Sequence, residues 1–273
     1  MRFGGIHALK DINFTVPRGM ITSFIGPNGA GKTTIFNCLT GIYSPSQGSM
    51  LLRRRYEAES GTESHTSIPV SNDEVNDTSE EIAVELAGKK THDISRLGIA
   101  RTFQNIRLFR KMTALENIMI GMHTTLSAGI LGAILRGKKT MEEEERVIHE
   151  SYTILKTLGL ENYVNHTADS LPYGAQRKLE IGRALASNPV LLLLDEPAAG
   201  LNPRETTDLD GLIFRLRSQY GLSITLIEHD MKLVMNISDY IYVLDYGTMI
   251  AEGTPQEVSE NPAVIKAYLG TED

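Results

Sequence analysis

Cysteine occurs once in the 273 residues, at Cys38, which excludes a disulfide framework and fits a reducing compartment. Cys38 lies in an apolar helical pattern and reads as a small buried residue. No apolar run approaches the ~18 residues of a membrane span, and no secretory signal pattern opens the chain. The protein is therefore expected to be soluble, docking if need be on something embedded. There is no internal repeat and no sustained heptad pattern, which excludes solenoids, propellers and long coiled coils. Positive charge is missing from one stretch: residues 57–81 hold eight Asp and Glu and no Lys or Arg. The chain as a whole carries −7, so the remainder sits at +1. The acidity is local, and nothing argues for a nucleic-acid partner. The length allows one large α/β domain or two small ones around a buried core.

What the chain does have is Gly26-Pro27-Asn28-Gly29-Ala30-Gly31-Lys32-Thr33-Thr34, between the apolar run 20–25 and a helical pattern (Ile35, Phe36, Leu39) that Gly41 stops. Strand, glycine-rich turn and helix in that order are what a phosphate-binding loop requires. The glycines let successive N–H groups point inward, and the helix start adds partial positive charge at the same place. Lys32 can reach the outer phosphates as a point charge, and the Thr33 hydroxyl can ligate a magnesium ion bridging them.

Ahead of this loop, residues 8–16 read as a strand with Ile12, Phe14 and Val16 on one face, ended by Pro17-Arg18-Gly19. Phe3 is either a stacking surface for a base or an exposed terminal side chain. After the loop helix, 44–48 is turn chemistry and 49–52 a short strand. Residues 53–87, rich in Glu, Ser, Thr, Asn and Asp, cannot bury enough apolar surface to offset ordering. They read as a mobile surface insertion, with an acidic docking element as the alternative. A short helix around Ile94 and Leu97 and a strand from Ile99 to Gln104 follow. The stretch from about 105 to 187 is mostly helical (114–122, 141–158, 176–186), as expected of a subdomain set on the core. Residues 190–194 are five aliphatics without alternation, the pattern of a strand buried on both faces of a parallel sheet. A helix (204–219), a second buried strand (223–227), a helix (231–238), two strands (240–245, 248–252) and a last amphipathic helix (258–269) complete the chain.

Asp195-Glu196 stand at the carboxyl end of the first buried strand, where open α/β sheets place their ligands. Asp195 can hold the magnesium through a water, and Glu196 can polarise the water that attacks a γ-phosphate. Taken alone, a charged pair at a strand end is often a solvated loop start; the phosphate loop favours the catalytic reading. His229 ends the next strand, where a lone histidine is more often structural; with the paired motifs it reads as a donor sensing the phosphate. Gln104, at another strand end, offers an amide carbonyl to the metal and an N–H to water.

Ser170-Leu171-Pro172-Tyr173-Gly174-Ala175-Gln176-Arg177 precedes a helix some 20 residues before Asp195. With the phosphate loop, Gln104, Asp195-Glu196, the turn Ala199-Gly200-Leu201-Asn202 and His229 in this order, the chain resembles the ATP-binding-cassette ATPases. A kinase or GTPase would share the loop but not the Leu171 segment, and no Asn-Lys-x-Asp guanine motif is present. The resemblance narrows to the ATPase subunit of branched-chain amino-acid importers on Arg2-Phe3-Gly4-Gly5, Ala100-Arg101-Thr102-Phe103-Gln104-Asn105, Leu171-Pro172-Tyr173-Gly174, the run from Glu196 to Pro203, Ile227-Glu228-His229-Asp230-Met231 and Ala267-Tyr268-Leu269-Gly270. It covers nearly everything except the acidic insertion. Pro172 stands in place of the usual serine, Tyr173 and Ala175 also depart from the common signature, and Asn202 stands where Asp is common.

The resemblance implies a single nucleotide-binding domain over 1–273: a phosphate-loop α/β core with a parallel sheet, a small antiparallel β portion and the helical subdomain. It implies ATP and Mg²⁺ as cofactors, Phe3 as the adenine-stacking aromatic, and a strand ahead of Phe3 that this sequence does not contain. It also implies head-to-tail pairing with a second ATPase subunit, identical or related. Leu171, Tyr173 and Gly174 of one subunit would then cap the γ-phosphate held by the other, although Pro172 lacks the usual hydroxyl. Further partners would be transmembrane permease subunits and, indirectly, an amino-acid-binding protein outside the membrane, which places the chain at the cytoplasmic face. Alternatives are another cargo, such as urea, amides or lipopolysaccharide, or a soluble cassette ATPase outside transport.

Overall fold

Runs such as Ile21–Ile25, Leu191–Asp195 and Ser223–Ile227 are buried at every position, because helices cover both faces of the sheet they build. The computed structural model describes residues 1–3, 6–56, 80–122 and 138–269, with the backbone alone for residues 2, 3, 6, 54–56, 80, 81, 138–141 and 269. In chain order the first elements are β1 (Arg2–Phe3), β2 (Ile6–His7), β3 (Ile21–Ile25) and helix α1 (Lys32–Leu39). Then come β4 (Leu51–Tyr56), β5 (Glu80–Glu85), α2 (Thr91–Arg96) and β6 (Ile99–Arg101). The helices α3 (Ala114–Gly121), α4 (Lys138–Thr157) and α5 (Tyr173–Leu185) lie between β6 and β7 (Leu191–Asp195). The chain continues through α6 (Pro203–Tyr220), β8 (Ser223–Ile227), α7 (Met231–Ile237), β9 (Tyr240–Asp245), β10 (Thr248–Gly253), α8 (Pro255–Ser259) and α9 (Pro262–Leu269).

Six strands form the main sheet in the order β10-β9-β3-β8-β7-β6. All are parallel to their neighbours except β10, which pairs antiparallel with β9 at one edge. The register places Ile21 beside Ile224 and Leu192 beside Ile224, so one row of side chains faces one way and the next row the other. Ile21, Ile25, Leu192 and Leu194 enter the core shared with α3, α5 and α6, whereas Phe24, Leu191 and Leu193 enter the second core, against α1 and α2. The smaller sheets, β1-β2 and β4-β5, are antiparallel.

The structure corrects several expectations. Residues 8–16 form no strand: Asp11 is left-handed (φ 49°), which breaks a ladder. The segment is pinned instead by Thr15, whose N–H and carbonyl both bond the Tyr242 hydroxyl at 3.0 and 2.9 Å, and by Phe14 edge-on to Phe24 at 5.0 Å. The strand before Gln104 ends at Arg101. The helix expected over 258–269 is two, α8 and α9, broken before Pro262, whose ring removes an N–H and disfavours helix in the preceding residue. The helix expected to start at Gln176 starts at Tyr173, so Tyr173 and Gly174 occupy its first turn. The acidic segment begins and ends as the β4-β5 hairpin, with Tyr56 paired to Glu80; its middle, 57–79, lies outside the described residues.

Candidate active site

In a parallel sheet every strand delivers its carboxyl end to the same edge. Here β3 delivers the phosphate loop, β7 Asp195-Glu196, β8 Glu228-His229, and β6 the run through Thr102 to Gln104. The sequence had these residues scattered over two hundred positions; the strand order assembles them.

Gly26 opens the loop at φ 144°, and a Cβ on it would lie 2.0 Å from the carbonyl oxygen of Leu244 on β9. Only glycine lets β3 turn this close to its neighbour. Asn28, Gly29 and Thr33 are exposed, Pro27, Gly31 and Thr34 half-buried, and Ala30 buried, so the rim is open and the base packed. Lys32 is buried, its Nζ donating to Gly26 O at 2.7 Å and Pro27 O at 3.0 Å. Burial lowers the pKa of this ammonium, while the carboxylates of Glu196 and then Asp195 act to raise it. Lys32 therefore feels the charge of Glu196 and of Asp195 across β8.

Glu196 is the centre of the arrangement. Its Oε2 accepts from Gln104 Nε2 at 2.7 Å, and its Oε1 lies 3.0 Å from His229 Nε2. Glu196 itself has φ 48°, a left-handed conformation that costs a residue with a Cβ and is met mostly where a site demands it. Glu196 thus touches both of the other residues expected to be catalytic, Gln104 on one oxygen and His229 on the other.

Asp195 is held differently. Its Oδ2 accepts from Arg101 at 2.7 Å, and the Arg101 guanidinium also donates to Asn37 Oδ1 at 2.7 Å on α1 and lies over the rings of Phe36 and Phe103 at 5.5 and 5.4 Å. Asp195 Oδ1, the exposed Thr33 hydroxyl and the amide carbonyl of Gln104 are hard oxygen donors. Gln104 turns its NH₂ toward Glu196, which leaves that carbonyl for a cation. The donor set fits Mg²⁺ completed by phosphate oxygens and water rather than by an all-protein cage, and no described group of three or more His, Cys, Asp or Glu could hold a metal alone.

The signature residues form a second surface. Leu171 is buried and Pro172 exposed. The Tyr173 hydroxyl donates to Ala199 O at 3.0 Å, and its ring lies against Gly200. Gly174 packs so closely on α6 that a Cβ there would meet Glu205 Oε1 at 2.7 Å. Asn202 does as a cap what Asp commonly does, accepting from the N–H groups of Arg204 and Glu205 at 3.0 Å each. Among the described residues, no hydrogen bond joins Leu171, Tyr173 or Gly174 to the loop at Gly26. The Phe3 side chain lies outside the described residues.

Four further residues shape the site without having been given a role from the sequence. Arg177, fully buried on α5, donates to the carbonyls of Phe103 and Gln104 at 2.9 Å each and to Glu180 at 3.0 Å, and Glu180 in turn accepts from Arg107 N at 3.0 Å. Arg101 and Glu228 complete the set. Arg101, Arg177 and Glu228 stood in the sequence motifs without a role of their own; only the fold shows Arg101, Arg177 and Glu180 as buried ion pairs and Glu228 as a buried acceptor.

The sheet, loop and acidic strand end are those of a phosphate-loop nucleotide-binding protein. The model of the ABC transporter family matches residues 9–199, and that of the branched-chain amino acid ATP-binding cassette transporter matches 248–273. The high-affinity branched-chain amino acid transport ATP-binding protein LivG of Escherichia coli K12 is 44% identical over 270 residues, covering 99% of this chain and 94% of LivG. BraF of Pseudomonas aeruginosa, described in the same words, is 43% identical over 99% of this chain and 94% of its own length. The ADP conformation of the ATP-binding cassette MJ1267 superposes with a TM-score of 0.74 at 29% identity, covering 99% of this chain and 96% of that one. The chain belongs to the ABC transporter family, in the branch of its branched-chain amino acid transport ATP-binding proteins.

Proposed function

We propose that this chain is the ATPase subunit of a branched-chain amino-acid importer, binding and hydrolysing ATP on one nucleotide-binding domain that spans 1–273 and carries a helical subdomain near 105–187. The observation that carries this is the Glu196 carboxylate set between Gln104 and His229 on the strand edge that also bears Lys32 and Asp195. Lys32 and the loop from Gly26 to Thr34, through the N–H groups it has outside Pro27, bind the phosphates, Glu196 accepts the proton of the attacking water, and His229 donates toward the γ-phosphate. Thr33, Asp195 and Gln104 would hold Mg²⁺, which neutralises charge developing on the transferred phosphoryl group. Phe3 is assigned to the adenine. Either contact that Glu196 releases frees an oxygen for water.

The surface at Leu171, Tyr173 and Gly174 is assigned to the nucleotide of a second cassette subunit. The names of the relatives support permease subunits as further partners and an amino-acid-binding protein at one remove, with this chain peripheral at the cytoplasmic face. No described helix is long and apolar enough to cross a membrane. Glu196→Gln tests the reading: it should keep ATP binding, lose turnover and accumulate as an ATP-bound dimer in light scattering. Undiminished hydrolysis would remove Glu196 from its role. The cargo is tested by purifying the chain with its co-expressed membrane partners and asking which amino acid stimulates ATPase activity.

A further inference from the structure

Strands β7 and β8 run parallel, and the N–H of Glu196 still reaches Ile227 O at 2.9 Å. Beyond that bond the two chains separate, one into the loop 197–201 and the other into the turn 228–230. The next donors, Ala198 N–H and His229 N–H, are met by a side chain. Glu228, 3% exposed, accepts Ala198 N on Oε1 at 2.7 Å and His229 N on Oε2 at 3.0 Å.

We propose that Glu228 is a positioning residue for ATP hydrolysis: its carboxylate clamps the loop that follows Glu196 to the main chain of His229, and so holds the Glu196–His229 pair at its 3.0 Å separation. The inference rests on the roles assigned above to Glu196 and His229. A carboxylate suits the position because it has two acceptor oxygens and no donor. Glutamine has the same shape but would set an NH₂ against one of the two amides. The clamp is needed because Glu196 sits at φ 48°, a conformation the loop would not keep unaided. Burial pushes the Glu228 carboxyl up, and the N–H groups of Ala198, His229 and Asp230 pull it back, as expected of a group kept for its acceptors.

Glu228→Gln in the full chain, compared with Glu196→Gln, His229→Ala and the double variant Glu228→Gln/His229→Ala, tests this. The expected result is a fall in kcat of roughly tenfold, the effect of one buried amide losing its acceptor, with nucleotide Kd within about twofold of the parent. In the His229→Ala background the same substitution should have little further effect, since the pair it positions is gone. An unchanged kcat for Glu228→Gln, or an equal loss with and without His229, would overturn the inference alone; normal hydrolysis by Glu196→Gln or His229→Ala would overturn it together with the reading beneath it. Should the Gln variant fold poorly, amide exchange in the unsubstituted protein decides. The Ala198 and His229 amides should exchange far more slowly than exposed turn amides, and equal rates would refute the clamp.

Discussion

Replacing Arg177 with methionine would remove the cation that ties the signature helix to the main chain at Phe103 and Gln104. The guanidinium and its partner Glu180 are each 1% exposed, and two main-chain carbonyls, Phe103 O and Gln104 O, depend on it. Methionine fills much of the stem's volume, so the loss is electrostatic: a carboxylate and two carbonyls stay buried with too few donors. Breaking a buried pair in this way costs about 3–5 kcal/mol. Unfolding entropy of about 2.1 cal/mol/K per residue gives about 0.6 kcal/mol/K for a chain of 273 residues, so the melting temperature should fall by about 5–9 °C. Differential scanning calorimetry on the full chain measures it. Arg177→Met/Glu180→Gln should recover part of the loss, because the uncompensated charge goes too. A fall of under about 2 °C for the single variant, or a double variant less stable than the single, would refute the assignment of this pair as a stabilising tie.

Lys32→Ala should weaken nucleotide binding at least about tenfold in a fluorescent-nucleotide titration, since charge-assisted bonds to phosphate contribute roughly 1.5–3 kcal/mol; unchanged affinity would contradict the loop's role. Because Tyr56 and Glu80 are register partners in the β4-β5 hairpin, replacing residues 57–79 with a two-residue Asn-Gly turn should close the hairpin and leave ATP hydrolysis intact. Loss of folding or of activity, followed by circular dichroism and phosphate release, would show that the acidic segment packs on the core or takes part in the cycle.

The loop at Gly26, Asp195-Glu196 and His229 were picked out from the sequence because each couples an unusual residue pattern to the end of an aliphatic run, whereas Gln104 was expected at a strand end and lies three residues past the end of its strand at Arg101. The parallel sheet was legible for the same reason: runs such as Leu191–Asp195 carry no alternation, which only double-sided burial permits. Residues 8–16 misled because an apolar alternation describes which side chains are buried, not which backbone groups pair; Asp11's left-handed turn and the Tyr242 hydroxyl satisfy the segment without a ladder. The roles of Arg101, Arg177, Glu180 and Glu228 stayed hidden because a charge along the sequence does not name its partner. Those partners lie up to 94 positions away, as Arg101 and Asp195 do.

The sequence by itself determined the groups at hand, a glycine-rich loop of the kind that cradles phosphate and, near the ends of core strands, acid, amide and imidazole, because local backbone and side-chain type decide what each group can bind. Only the tertiary structure decided how those groups act on one another: that Glu196 is bracketed by Gln104 and His229, that Arg101 takes one oxygen of Asp195, and that Glu228 joins two loops. Strand order and register, set by burial on both faces of the sheet, bring distant residues within hydrogen-bond reach, and no pattern along a single segment encodes which strands will be neighbours.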